Sequence, residues 1–112
     1  GVVSYANSLK SSYLGVAKDI LEQRGAVSRE VAEQMAVGVR EGSAADIGLA
    51  VTGIAGPDGG SDEKPVGTVY IGIATPNGKW VSKFLFEGNR HQIREITAQT
   101  GLDLVRKYLI HP

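Results

Sequence analysis

The 112-residue sequence predicts an α/β fold, a three-layer α/β/α sandwich around a mixed, partly antiparallel sheet. Three observations predict it. The elements read in the order β-α-α-α-β-loop-β-β-α, so helices separate the first strand from the second while the third and fourth form a hairpin. The run Ile47 to Val51 is almost continuously apolar, as in a strand buried on both faces. The return strand, Trp80 to Phe86, carries Trp80, Phe84 and Phe86 on one face and Val81 and Leu85 on the other, which predicts a sheet covered on both sides.

Each element has a local signal. Val2 to Tyr5 is a short apolar strand. Asn7 can cap the helix that follows, in which Leu9, Tyr13 and Leu14 recur at helical spacing before Gly15. Ala17 to Arg24 is a short helix that places Ile20 and Leu21 inward and stops at Gly25. Ser28 caps the next helix, with Glu30 near the positive end of its dipole; Val31, Met35 and Val39 form its stripe, widened by Ala32 and Ala36, and Gly42 closes it. A long loop from Thr52 to Gly67 holds five glycines and two prolines. Thr68 to Thr75 is a strand with Val69, Ile71 and Ile73 on one face, and Pro76-Asn77-Gly78 predicts a hairpin through a type I′ turn. A final helix runs from about Arg90 to Leu109, with Ile93, Ile96, Leu104, Val105 and Tyr108 inward.

Composition narrows the function. One domain is expected, because a chain of this size buries roughly two-thirds of its surface and needs no staple. Acidic and basic residues balance at 12 each, so no global field draws the chain to nucleic acid or to an anionic membrane. With no cysteine there is no disulfide, thiolate metal site or cysteine nucleophile, and two histidines are too few for a His-rich metal centre; no metal and no cofactor are expected. No apolar run approaches a membrane span, and a cytoplasmic location is expected. The segment Gly1-Val2-Val3-Ser4-Tyr5 reads as a strand already under way, from which further sequence is expected upstream.

Three stretches are candidates for chemistry. Thr52-Gly53-Ile54-Ala55-Gly56-Pro57-Asp58-Gly59-Gly60 leaves the carboxyl end of a buried strand, where open α/β sheets hold ligands. Its composition fits either a long turn or a backbone cradle for an anion. It is neither a Walker loop nor a dinucleotide fingerprint. Lys10, in the first turn of a helix, sits where a cation opposes the helix dipole. It is either a solvated lysine or, if desolvated, a neutral base. Tyr5 before it is either a core tyrosine or a site hydroxyl. Arg90 and Arg94 lie one helical turn apart beside a helix N-terminus, as an anion clamp or as a solvated face.

Taken together, Gly1-Val2-Val3-Ser4-Tyr5-Ala6-Asn7 with Lys10, Ala26-Val27-Ser28-Arg29-Glu30-Val31-Ala32, Ala45 through Gly60 and Lys64-Pro65-Val66-Gly67-Thr68-Val69-Tyr70 closely resemble the CinA C-terminal domain family, the PncC-type nicotinamide mononucleotide deamidases. The resemblance covers nearly the whole chain. It implies hydrolysis of the nicotinamide mononucleotide carboxamide to nicotinate mononucleotide and ammonia, a step of pyridine-nucleotide salvage, by a Ser/Lys mechanism. The family's Glu-Ser-x-Thr-Gly-Gly nucleophile motif is not among these 112 residues, and Ser8, Ser11 and Ser12 lack its glycines. The chain is therefore expected to be an N-terminally incomplete domain, inactive alone, with an open sheet edge and a missing N-terminal segment as one partner. By the same resemblance Lys10 is the base, Tyr5 holds the lysine or the substrate, and Thr52 belongs to the active site. Asn7, with the backbone of Gly53, Ala55 and Gly56, would contact substrate. An arginine would meet the phosphate, Arg90 before Arg94. The implied partners are a small nucleotide substrate and further copies of the chain, a homo-oligomer. Two other readings stay open: a non-catalytic nucleotide-binding or regulatory module of a competence/damage-inducible protein, and a pure oligomerisation domain.

Overall fold

In a computed structural model the described residues are 25, 27–43, 45–54, 56 and 60–110. They form helix α1 (Arg29–Ser43), strands β1 (Gly48–Gly53), β2 (Thr68–Thr75) and β3 (Gly78–Leu85), and helix α2 (Arg90–Ile110). The expected strand at Val2 to Tyr5, the two helices after it and the Asn7 cap lie outside the described residues.

The sheet has the order β1-β2-β3, and both pairings are antiparallel. A mixed sheet was expected from a parallel contribution of the first strand, which is not among the described residues; the sheet they form is an antiparallel meander. β2 lies between its two neighbours and is buried at all eight positions. Its alternate residues face two helices. Val69 and Ile71 pack with Ile93 of α2, flanked by Leu49, Phe84, Phe86 and Leu104. On the opposite face Ala50 and Ala74 pack with Val31, Met35 and Ala36 of α1, flanked by Val37 and Val39. Helix, sheet, helix is the three-layer arrangement that the sequence predicts. Ile71 and Ile93, almost without exposed surface, each contribute about 1.5–3 kcal/mol of burial.

Helix α1 starts where its cap predicts. The Ser28 hydroxyl accepts from the Val31 amide at 3.3 Å and donates to the Gly25 carbonyl at 3.0 Å. The helix does not end at Gly42 but runs one residue further, and its last turn closes by a 3.0 Å bond from the Ala45 amide to the Arg40 carbonyl. It lies very near the sheet, because two sheet residues facing it have no side chain. A Cβ on Gly72 would sit 2.5 Å from the Ala32 carbonyl oxygen, and one on Gly48 would strike the Ala36 carbonyl oxygen.

Several expectations are corrected. The β1 strand extends past Val51, since Thr52 pairs with Tyr70 and Gly53 with Val69. Nor is β1 buried on both faces: Val51 is 38% exposed, because α2 meets this strand at Leu49, against Gly101. Among the described residues β3 is an edge strand, with Trp80 and Leu85 exposed. Both helices lie mainly over β1 and β2 and meet β3 at a few side chains, among them Arg29 and Glu33 of α1 and Tyr108 of α2. The β3 edge carries Lys79, paired with Glu33 at 3.0 Å, and Lys83, charges that discourage pairing with another sheet. The hairpin loop is Pro76-Asn77, since Thr75 pairs with Gly78. Proline cannot take the positive φ of a type I′ turn. The turn is held instead by the Thr75 hydroxyl, which accepts from the Asn77 amide at 3.0 Å. Ile96 is exposed on α2; Ile93, Gly101 and Leu104 are the residues turned to the sheet.

Helix α2 opens with a reciprocal cap. Asn89 Oδ1 accepts from the Gln92 amide and Gln92 Oε1 accepts from the Asn89 amide, both at 2.9 Å. Replacing Asn89 with Ala is expected to cost about 1 kcal/mol, read as a fall in the urea midpoint at unchanged slope. Gly72→Ala is expected to cost roughly 1–3 kcal/mol, because the obstacle is backbone. Gly42→Ala, with nothing near the added carbon, is expected to be neutral or to stabilise by up to about 1 kcal/mol. Equal midpoints for the two glycine variants would show that the helix does not rest on Gly72.

Candidate functional site at the end of β1

The geometry starts from strand register. The Ile54 amide donates to the Thr68 carbonyl at 2.9 Å. Hydrogen-bonded and non-hydrogen-bonded pairs alternate along an antiparallel ladder. Thr52 and Tyr70 are therefore a hydrogen-bonded pair, whereas Gly53 and Val69 are not. The amide and carbonyl of Gly53 point away from β2, across the outer side of β1. The Thr52 side chain, 7% exposed, lies on the face toward α1. One residue thus offers a hydroxyl on the face and the next offers a backbone donor at the edge. Gly53 has little room for a side chain, as a Cβ would lie 2.9 Å from Val69 Cγ2.

The loop that leaves this strand is tied at its base. Gly67 donates to the Ile54 carbonyl at 2.6 Å, and Thr68 bonds the Pro65 carbonyl through both amide and hydroxyl, at 3.0 and 2.6 Å. Gly56 has φ of +87°, and a Cβ there would press on Val66 at 2.5 Å, so this position calls for glycine twice over. The guanidinium of Arg90, in the first turn of α2, donates to the Gly56 carbonyl at 3.2 Å. The loop from one strand end and the start of the last helix are in direct contact.

Among the residues that sequence reasoning singled out, the structure brings together Thr52, Gly53, Gly56 and Arg90. Arg94 is exposed and forms no hydrogen bond or ion pair among the described residues. Arg90 donates to the loop carbonyl, and the Gln92 amide at the helix start is taken by Asn89. Lys10, Tyr5, Asn7 and Ala55 lie outside the described residues, as does Asp58. No group of three or more potential metal-ligating side chains occurs among the described residues, and no helix among them is long and apolar enough to cross a membrane.

Sequence reasoning missed Tyr70. It is 8% exposed, on the same sheet face as Thr52 and directly beside it across the β1–β2 ladder. Lys83 is its partner on the other side, with the ammonium 5.7 Å from the centre of the tyrosine ring. Strand alternation alone puts Tyr70 on the face opposite Val69 and Ile71. Only the register puts it between Thr52 and Lys83. Tyr70 and Lys83 border an open cleft of about 370 Å³, lined among the described residues by Ser28, Arg29, Glu30, Lys64, Tyr70 and Lys83.

The chain matches the CinA C-terminal domain family over residues 1–109. It is 57% identical over 110 residues to a CinA-like protein of Desulfotalea psychrophila, covering 98% of this chain but 27% of that protein. Among solved structures, the competence/damage inducible protein CihA from Agrobacterium tumefaciens superposes with a TM-score of 0.91 at 42% identity, over 94% of this chain and 65% of its own. A competence-damaged protein (CinA) superfamily protein from Enterobacter cloacae gives 0.88 at 33% identity, over 96% and 64%. The chain thus spans about a quarter of the curated relative's length and about two-thirds of each structural relative's. Sequence and superposition agree, and the chain belongs to the CinA C-terminal domain family.

Proposed function

We propose that the protein carrying this chain is an amidohydrolase that converts nicotinamide mononucleotide to nicotinate mononucleotide and ammonia. The observation that supports this reading is the junction at Thr52 and Gly53. A buried hydroxyl and an edge-directed amide stand side by side at a strand end, under a glycine loop that Arg90 holds by the Gly56 carbonyl. A polar group and a fixed backbone donor at one point are what an acyl-transfer site requires beside its nucleophile.

In this mechanism a serine hydroxyl from outside the 112 residues attacks the carboxamide carbon. Neutral Lys10 takes the serine proton, and the oxyanion that forms accepts from backbone amides at the Gly53 end of the loop. Collapse of the tetrahedral intermediate breaks the C–N bond, and the proton on Lys10 passes to the departing amine to give ammonia. Water, deprotonated by the same lysine, then hydrolyses the acyl-serine and restores both groups. Tyr5 orients the lysine, and Thr52 and Asn7 position the carboxamide. Homo-oligomerisation accompanies this reading as part of the proposal.

The full-length protein is expected to release ammonia from nicotinamide mononucleotide, and Lys10→Ala is expected to lower kcat by ~10²–10⁴-fold with the fold retained by circular dichroism. The 112-residue chain alone is expected to show no turnover. Absence of ammonia release by the unmodified full-length protein overturns the amidase reading in favour of a non-catalytic nucleotide-binding module. Turnover that survives Lys10→Ala removes the lysine from the mechanism.

A further inference from the structure

We propose that the cleft between the start of α1 and the Tyr70–Lys83 pair is an anion site that takes a phosphate monoester. Its volume, about 370 Å³, suits a small molecule. Among the described residues that line it, Arg29, Lys64 and Lys83 are cationic and Glu30 is a carboxylate. The positive end of α1 opens onto it, with Ser28 already capping the Val31 amide.

The tyrosine points to a ligand independently of the helix end. Tyr70 is 92% buried by its 8% exposure, yet it forms no hydrogen bond among the described residues. No buried side-chain nitrogen or oxygen among them lacks a partner, so the hydroxyl is not sealed in the core. Tyr70 lines the cleft, and on this proposal its hydroxyl offers one donor to whatever fills the space. The cations are held in place around it. Lys83 lies over the tyrosine ring at 5.7 Å, and Arg29 donates one guanidinium N–H to the Val81 carbonyl at 2.7 Å, which fixes the fork and leaves its other donors for a ligand. Glu30 disfavours an anion at its own end, so the ligand settles toward Arg29, Tyr70 and Lys83.

The site stands on this geometry alone and does not depend on the amidase reading. The phosphate has two possible sources: the tail of a nucleotide whose other end lies at Thr52, or a separate free phosphate or phosphorylated metabolite.

The test is calorimetric titration of the full-length protein with inorganic phosphate. Saturable binding is expected, weakened about tenfold or more by Tyr70→Phe and by Lys83→Ala. Lys79→Ala, on the same strand but paired with Glu33 outside the cleft, is expected to leave it unchanged. Thermal melts of the three variants control for folding; Tyr70→Phe removes one oxygen and Lys83 is exposed, so both are expected to fold. A second arm measures ammonia release from nicotinamide mononucleotide. If the phosphate is the substrate's own, Lys83→Ala raises KM with kcat held, and inorganic phosphate competes. If it belongs to a separate ligand, KM stays while phosphate binding falls. Either result supports the site. No saturable phosphate binding, or binding that both cleft variants leave intact, overturns it, whether or not the protein is an amidase.

Discussion

Two absent Cβ atoms govern this fold. Gly48 on β1 and Gly72 on β2 face α1, and each lies against a helix backbone carbonyl, of Ala36 and Ala32 respectively. A side chain at either position would lift the helix from the sheet. With both absent, the small side chains Ala32 and Ala36 reach the strand backbones, and Met35 and Val31 fill the space beside them. Close packing of this kind leaves little freedom to slide or tilt. The fixed axis of α1 also fixes its tip. Ser28, Arg29 and Glu30 are thereby set opposite Tyr70, so the cleft is a consequence of the same contact that builds the core.

The register of the meander does the rest. Thr52, Tyr70 and Lys83 come from three successive strands and stand in one row across the sheet. Their alignment is maintained at both ends of β2. At one end Thr68 bonds Pro65, and at the other the Thr75 hydroxyl bridges to Asn77 and to the Gly78 carbonyl. A one-residue slip of β2 would turn Tyr70 to the opposite face, break the row, and put Val69 and Ile71 under α1 instead. The burial of Ile71 against Ile93 opposes such a slip, so core packing on one face protects the polar row on the other.

Where an element's identity resides in its own residues, the sequence was a sufficient guide. Helix α1 begins at Ser28 because capping is a local interaction, and its stripe follows from the helical period. The alternation in β2 likewise separates Val69, Ile71 and Ile73 from Tyr70 and Ala74. The end of β1 was not legible, because Thr52-Gly53 looks like the start of a glycine-rich loop until β2 is laid beside it. The hairpin was legible but its turn type was not, since Asn77-Gly78 is a strong turn signal and Pro76 shifts the two-residue loop one position earlier. Helix α2 has apolar residues around much of its circumference, including exposed Ile96, Leu102 and Leu109. Its inward face is chosen by what the sheet presents, Leu49 against Gly101 and Val69 and Ile71 against Ile93, and no periodicity could announce that. For the site, Arg90 could be nominated from its place after a strand break. Its bond to Gly56 depends on the path of the loop, and the position of Tyr70 depends on pairing.

Directions matter as much as positions at the strand end. From Thr52 the chain offers two lines of approach that run in opposite directions across the strands. One leaves the β1 edge along the Gly53 amide, toward the region where a further strand or a ligand carbonyl can accept. The other crosses the sheet face through Tyr70 to Lys83, two strand spacings away, about 10 Å. A small anionic molecule laid along the second line has its charge among Arg29, Tyr70 and Lys83 and its far end at Thr52, where the first line begins. An elongated substrate with a reactive carbonyl at one end and a phosphate at the other satisfies both lines at once. A ligand lacking the phosphate satisfies only one. On the proposed reading recognition and chemistry fall to different strands of one meander. The residues proposed to hold the anion can then vary without moving the strand end proposed for the reacting group.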